Sequence, residues 1–340
     1  MNKRMVETES GKLQGIFGWD PRITVFKGVP YAKAPVGELR WKAPQPVEPW
    51  DGIRMADQYG PISCQPVPGL NPAEFWTREI HPTGTEFEMS EDCLYLNIFT
   101  PARTGEENLP VLFYIHGGGF NSGGAEYSIN MTRNFCKSDN YAVFNVEYRL
   151  APEHPFPAGL EDCISAYRYL TQQGVHGSDM VFAGDSAGGN LVFALALYLR
   201  DHGLELPAGL CALSPVGALD DSLPSRKERA DRDCIIGADF TEEMQITYIG
   251  DHDVRTPYLS PIYGDFTGLP PIWMCVGTEE VFYDDAIALQ AAAQNKGIPV
   301  ELLIGKGMCH VYPMFPDRQS KIAVKRMRNF IEKRLRVSKS

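Results

Sequence analysis

The sequence predicts an α/β protein with a doubly wound, mostly parallel sheet and a β-rich N-terminal extension. Two observations predict this class. Short apolar runs alternate with helical patterns through most of the 340 residues, as they do where strands and helices take turns in a parallel sheet. One such run also passes through a glycine-rich turn straight into an apolar helix, with a serine at the turn.

The N-terminal section is predicted to form short strands between turns, because glycine and proline recur closely there. Further along, apolar runs bounded by turn residues predict the parallel strands. We place these strands near residues 111–116, 142–147, 180–184, 209–213, 272–276 and 300–304. The clearest helix is predicted from Gly159 to Gly174, where apolar residues recur at helical spacing and the final glycine stops the helix.

The serine turn carries the strongest functional signal of the chain. Ser186 follows the apolar run Met180–Ala183, precedes the apolar run Leu191–Leu199, and lies between Gly184 and Gly188. This is a G-x-S-x-G turn, which holds a serine hydroxyl clear of the sheet and beside a helix N-terminus. We therefore predict that Ser186 is a nucleophile.

A serine nucleophile needs donors for the oxyanion that forms during acyl transfer. The apolar strand Val111–Ile115 runs into a histidine and three consecutive glycines, whose backbone N–H groups can turn toward a ligand without side-chain obstruction. We predict the N–H groups of Gly118, Gly119 and Ala187 as the donors, and Gly117 stays open as a further one.

The serine also needs a base and an acid that orients the base. In proteins with this kind of turn the acid and then the histidine follow the serine along the chain. Of the seven histidines, His310 lies late enough, after the apolar stretch Val300–Ile304. The acid is expected after the preceding strand, and spacing alone does not choose among four carboxylates there. These are Glu279, Glu280, Asp284 and Asp285.

From about residue 110 to its end, the chain resembles the hormone-sensitive-lipase-like esterases, bacterial family IV of the α/β-hydrolases. The resemblance rests mainly on the blocks 116–120, 148–158 and 184–190. In that family the acid is an aspartate two residues after a glycine, a position held here by Glu279. The resemblance therefore implies a catalytic triad of Ser186, Glu279 and His310, with Asp284 as the second choice for the acid. Glu280 and Asp285 are expected to be solvated or structural.

The first hundred residues resemble a different group, the type B carboxylesterases. The matching segments are 26–32, 35–41 and 90–97. The chain is thus expected to be one α/β-hydrolase domain over residues 1–340, with a type B-like part at 1–105 and a catalytic core at 106–340. Residues 217–262 form a long insertion in that core, and we expect this cap-like insertion to cover one side of the active site.

Two aromatic positions are predicted to contact the substrate. Phe120 directly follows the three glycines. Trp76 lies in the segment from Cys64 to Cys93, which corresponds to the loop bordering the active-site entrance in type B enzymes. Its ring either packs on the sheet edge or lies at the pocket mouth, where it would hold an alcohol or sugar leaving group.

Composition and net charge restrict the classes of partner that the protein can bind. A chain of 340 residues, 44% hydrophobic, can bury one large α/β core, and a net charge of −11 argues against a nucleic-acid partner. No apolar run approaches the roughly 18 residues that span a bilayer, and the N-terminus lacks a secretory pattern. We expect a cytoplasmic protein without a membrane partner. The sequence leaves the oligomeric state open, a homodimer included.

The eight cysteines contain no C-x-x-C pair and no Cys/His cluster at metal-ligand spacing. We therefore expect neither a metal nor an organic cofactor. In type B enzymes the positions of Cys64 and Cys93 commonly form a disulfide, but in a cytoplasmic protein we expect both to be reduced.

Taken together, these residues predict a serine carboxylic-ester hydrolase acting on short-chain acyl esters of neutral alcohols, acetylated carbohydrates among them. Two alternatives stay open. The same triad serves amide and peptide hydrolases, since acyl transfer to serine accepts both leaving groups. A non-catalytic ligand-binding relative is the third class, but such relatives typically lose the serine or the histidine.

Overall fold

The computed structural model describes residues 4–18, 23–40, 42–64, 89–101, 109–125, 128, 132, 141–237 and 239–335. The strands within these residues are β1 Met5–Thr8, β2 Gly11–Gln14, β3 Ile16–Phe17, β4 Thr24–Pro30, β5 Ile53–Met55, β6 Tyr95–Thr100, β7 Val111–Ile115, β8 Ala142–Val146, β9 Met180–Asp185, β10 Gly209–Leu213, β11 Ile272–Gly277 and β12 Val300–Gly305. The α-helices are α1 Ala158–Gln172, α2 Ala187–Asp201, α3 Ser225–Glu228, α4 Phe240–Met244, α5 Tyr283–Gln294 and α6 Arg318–Arg334.

One large sheet organises the fold. Its strands lie in the order β12-β11-β10-β9-β7-β8-β6-β4-β3. Strands β7 to β12 are parallel, whereas β6, β4 and β3 pair antiparallel. The parallel strands coincide within one residue with the six predicted from the sequence, so the predicted fold class is confirmed. Strands β7, β9, β10 and β11 are buried along their whole length, which explains why each is apolar apart from Asp185 at the end of β9.

The N-terminal part is rich in strands, as predicted. Strands β1, β2 and β5 form a separate three-stranded sheet, in which β1 and β2 are antiparallel and β2 and β5 are parallel. Strands β3, β4 and β6 instead extend the large sheet beyond β8. Cys64 and Cys93 are both free thiols.

Strand order places the functional loops. The chain runs from β7 to β8 on one side of β7, and then returns to form β9 on the other side. Ligands of open α/β sheets bind in the crevice at the carboxyl ends of strands where the order reverses in this way. The loop after β7 carries the three glycines and the turn after β9 carries Ser186, so both border that crevice.

The insertion at residues 217–262 contains α3, α4 and a π-helical turn at Gln245–Ile249. Apolar side chains from it, Phe240, Met244, Tyr248 and Ile249, join the main hydrophobic core. The insertion is therefore packed onto the core. No helix in the described part of the chain has the length and apolar character that crossing a membrane requires.

Candidate active site

Ser186 occupies a sharp turn between β9 and α2. Its backbone has φ +53°, a conformation rare for residues with a side chain, and its own N–H donates to Leu213 O at 2.8 Å. A Cβ on Gly184 would lie 2.5 Å from Gly188 O, and one on Gly188 would lie 2.1 Å from Ile115 O. Both flanking positions must therefore be glycine, as the motif predicted. The turn leaves Ser186 only 6% exposed.

His310 lies against this serine, as the sequence predicted. Its Nε2 is 2.9 Å from Ser186 Oγ, and its Nδ1 is 2.7 Å from Glu280 Oε2. An ionised carboxylate can only accept, so the imidazole proton lies on Nδ1 and Nε2 accepts from the serine hydroxyl. The result is a buried chain of serine, imidazole and carboxylate.

The acid in this chain is Glu280, so the prediction that Glu279 contacts the histidine is wrong. The side chain of Glu279 is 33% exposed, accepts from Thr278 Oγ1 at 2.7 Å and pairs with Arg232 at 3.3 Å. Glu280 is fully buried. The two glutamates are neighbours in the turn after β11, and moving one residue along that turn takes the side chain from the solvent side to the buried side.

The two other candidate acids, Asp284 and Asp285, are hydrogen-bonded to residues of the insertion. Asp284 Oδ2 accepts from the backbone N–H of Ser225 at 2.8 Å, so it is not beside the histidine. Asp285 is buried and pairs with Arg226 at 2.7 Å, while it also accepts from the Gly217 N–H. Asp285 thus has the structural environment expected for it.

Glu280 is held by more than the histidine. Its Oε1 accepts from the Gly277 backbone N–H at 2.5 Å and from Ser214 Oγ at 2.8 Å. Burial raises the pKa of Glu280 above its usual value, while these donors and His310 favour the ionised form. Ser214 was missed in the sequence, where a serine before a proline at the end of a strand gave no sign of a contact with the acid.

The glycine loop after β7 is aligned by its own contacts. Burial lowers the pKa of His116 to about 4, so its ring is neutral, and Nδ1 lies 2.7 Å from Gly117 O. The buried carboxylate of Asp185 lies against the Gly117 backbone, and a backbone hydrogen bond from Gly117 favours its ionised form. The role of Gly117 as a further oxyanion donor stays a prediction.

Gly118 and Gly119 have φ +115° and +60°, which explains the need for glycine at both. Within the described residues, neither N–H has a hydrogen-bond acceptor. Ala187 is the first residue of α2, where a helix leaves its N–H groups without intrahelical partners. These three groups fit the predicted oxyanion donors.

The sequence predicted that Phe120 and Trp76 contact the substrate. Phe120 is only 1% exposed, and its ring stacks on Tyr248 of the insertion with centroids 4.1 Å apart. The ring is therefore buried against the insertion, and its contact with the substrate stays a prediction. Trp76 lies outside the described residues.

The insertion borders both sides of the catalytic residues. On one side, Met244 Cε lies 4.0 Å from where a Cβ of Gly119 would be. On the other side, the Phe240 ring packs edge-on against Phe282, with centroids 5.0 Å apart, and Phe282 packs against the His310 ring at 5.0 Å. Apolar side chains of the insertion therefore lie near the oxyanion loop and, through Phe282, near the histidine.

A metal site was not expected from the sequence. In the described ranges, no three His, Cys, Asp or Glu residues come together in a way that would hold a metal ion. The chemistry that the arrangement offers is that of its own groups: a serine hydroxyl with a base, a buried acid and adjacent backbone donors.

Comparison with protein families gives two matches. A family model described as the alpha/beta hydrolase fold matches residues 112–314, and the model of the carboxylesterase family matches residues 2–156. The first match spans Ser186, Glu280 and His310. The second spans the N-terminal part and overlaps the glycine loop and the segment after β8.

Individual proteins give the same picture. An acetyl-hydrolase of Streptomyces hygroscopicus is 36% identical over 226 residues, which are 65% of this chain and 76% of the relative. Carboxylesterase 1E of Mus musculus is also 36% identical, over 61% of this chain and 41% of its own length. Among solved structures, a hormone-sensitive lipase from a metagenome library has a TM-score of 0.67 and 36% identity, covering 71% of this chain and 81% of that one.

Proposed function

Because the chain belongs to the α/β-hydrolase fold family and its relatives include carboxylesterases, we propose that it hydrolyses short-chain carboxylic esters through an acyl-enzyme on Ser186. The observation that carries the proposal is the hydrogen-bonded chain from Ser186 Oγ through His310 to Glu280, with distances of 2.9 and 2.7 Å. A hydroxyl that is hydrogen-bonded to a base, which an acid in turn orients, is an activated nucleophile.

In the first half of the reaction, Ser186 Oγ attacks the carbonyl carbon of the ester while His310 Nε2 takes its proton. Glu280 holds the imidazole by Nδ1 and stabilises the positive charge that forms on it. The carbonyl oxygen becomes an oxyanion against the N–H groups of Gly118, Gly119 and Ala187. The tetrahedral intermediate collapses when His310 returns its proton to the departing alkoxide, which leaves as the alcohol.

The second half regenerates the serine. A water molecule attacks the acyl-enzyme carbonyl and gives its proton to His310 Nε2. A second tetrahedral intermediate uses the same oxyanion donors, and its collapse releases the carboxylic acid and restores the Ser186 hydroxyl. Each proton that His310 takes in one step is given back in the next, so the protein's own side chains complete the cycle.

The proposed substrates are short acyl esters of neutral alcohols. The apolar side chains of Met244 and Phe282 lie near the oxyanion loop and the histidine, which suits an uncharged ester. A net charge of −11 disfavours an anionic leaving group. Similarity to an acetyl-hydrolase supports a small acyl group. The contact of Trp76 with the alcohol, and acetylated carbohydrates as substrates, stay predictions from the sequence.

Two measurements test the proposal. A fluorophosphonate should label the native protein at Ser186, located by peptide mass mapping, and the Ser186→Ala variant should remain unlabelled. A panel of nitrophenyl esters against the matching anilides should then show turnover of the esters alone. Absence of labelling would favour a non-catalytic binding protein, and equal turnover of anilides would favour an amide hydrolase.

A further inference from the structure

Asp185 is a buried carboxylate directly before the nucleophile. It is the last residue of β9 and only 1% exposed. Burial raises the pKa of Asp185 to about 6, although Tyr114, His310 and Gly117 all favour its ionised form. Burying an ionisable group is costly unless its partners compensate, and the reaction proposed above transfers no proton to or from this one.

The neighbouring strand β7 and the loop that follows it hold this carboxylate. The Tyr114 hydroxyl donates to Asp185 Oδ1 at 2.8 Å, and the Gly117 backbone N–H donates to the same carboxylate. A Cβ on Gly117 would lie 2.3 Å from Asp185 Oδ2, closer than any side chain tolerates. Glycine at this position therefore lets the carboxylate reach the backbone of the loop.

This contact sets the orientation of the oxyanion loop. The N–H of Gly117 is directed to Asp185, and the next two residues, Gly118 and Gly119, turn with φ +115° and +60°. Because Asp185 is bonded to Ser186 along the chain, one side chain ties the nucleophile turn to the loop that carries the oxyanion donors. Sub-ångström placement of such donors has a large effect on rate.

We propose that Asp185 is a positioning residue: its carboxylate, which lies against the Gly117 backbone, fixes the oxyanion loop beside the nucleophile turn. The inference rests on the proposed function, since it assigns Asp185 a role in serving the same serine and oxyanion donors. Asp185 itself does not touch the substrate.

Two variants test this role. Asp185→Ala removes both the acceptor and the charge, whereas Asp185→Asn keeps an oxygen that can accept from Gly117 and removes only the charge. The readouts are kcat and KM for nitrophenyl acetate and the dissociation constant of phenylboronic acid, which forms a tetrahedral adduct with an active serine. Tyr114→Phe is the matched control, because it removes the other donor to Asp185 and leaves Gly117 in place.

We expect Asp185→Ala to lower kcat/KM and the affinity for the boronic acid together, by about 10- to 100-fold, with KM changed little. Asp185→Asn should recover most of the boronic acid affinity. Tyr114→Phe should change these quantities by only a few-fold.

A merely structural role predicts a different result. Loss of kcat/KM without loss of boronic acid affinity, or an Asn variant no better than the Ala variant, would overturn the role in the loop. Failure of the proposed function is a separate outcome, because the native protein would then neither react with a fluorophosphonate at Ser186 nor bind the boronic acid.

Discussion

Ser214 Oγ donates a hydrogen bond of 2.8 Å to Glu280 Oε1, on the carboxylate that holds His310. The same hydroxyl accepts from the Val311 N–H at 2.9 Å, so one side chain at the end of β10 joins the acid to the residue after the histidine. Ser214 and Val311 both have positive φ, of 48° and 46°. The backbone is thus held in an unfavourable conformation at both ends of this bridge.

Replacing Ser214 by alanine should lower kcat about tenfold and leave KM nearly unchanged, because the acid loses a donor and the histidine loop loses its anchor. Steady-state kinetics on nitrophenyl acetate measure this. Ser165→Ala is the control, since that serine donates to a backbone oxygen within α1, far from the triad in sequence. Equal kcat in the two variants would show that the bridge has no catalytic value.

The two adjacent glutamates provide a matched pair for the triad acid. Glu280→Gln should reduce kcat by several orders of magnitude, because an amide cannot stabilise the imidazolium and favours the wrong tautomer. Glu279→Gln should leave kcat within a few-fold, since Glu279 only pairs with exposed Arg232. Circular dichroism confirms folding of both. If Glu279→Gln instead lowers kcat more than Glu280→Gln does, Glu279 is the acid of the triad.

Removing the nucleophile should abolish turnover while preserving the fold. We expect Ser186→Ala to lower kcat by several orders of magnitude. Its melting temperature should stay at or above that of the native protein, because the turn at φ +53° is set by the flanking glycines and the Leu213 contact. Activity within tenfold of the native level in a preparation free of native enzyme would contradict the mechanism.

The stability of the protein should depend on pH through Asp185. The pKa of this carboxyl is raised from 3.8 to about 6 by burial, so the folded state binds more protons than the unfolded state between these values. The free energy of unfolding of the native protein, relative to Asp185→Asn, should therefore fall by about 2 kcal/mol as the pH rises from 4 to 7. Urea unfolding at each pH measures the difference. A difference that is constant with pH would mean that Asp185 is not a buried, destabilised carboxylate.

The acyl-chain length that the protein prefers in its substrate should depend on Met244 of the insertion. Met244→Ala removes a side chain that contacts the oxyanion loop beside Gly119, and we expect the preferred nitrophenyl ester to shift toward longer acyl chains. Ile246→Ala is the control, because Ile246 is two residues away in the same insertion and 74% exposed. If both variants keep the native chain-length profile, Met244 does not limit the acyl site.

Much of the site could be predicted from short stretches of sequence, because the backbone conformation of a turn limits which residue types can occupy it. Ser186, Gly184 and Gly188 form a turn whose steric limits admit only glycine on either side. The loop glycines likewise reveal where backbone must carry positive φ. His310 follows from chain order and from the strand before it. Each of these predictions depends on a stretch of only a few residues.

What the sequence determined by itself is the alternation of strands and helices, the nucleophile turn and the glycine loop, because each is fixed by interactions within one segment. Only the tertiary structure decided which acid reaches the histidine. Glu279 and Glu280 are identical side chains one residue apart, and they are separated by the path of the turn after β11 and by donors that come from β10 and from Gly277. Tertiary packing also decided the partner of Phe120, whose ring stacks on Tyr248 of the insertion. Contacts between segments distant in sequence set these outcomes, and a single segment does not contain them.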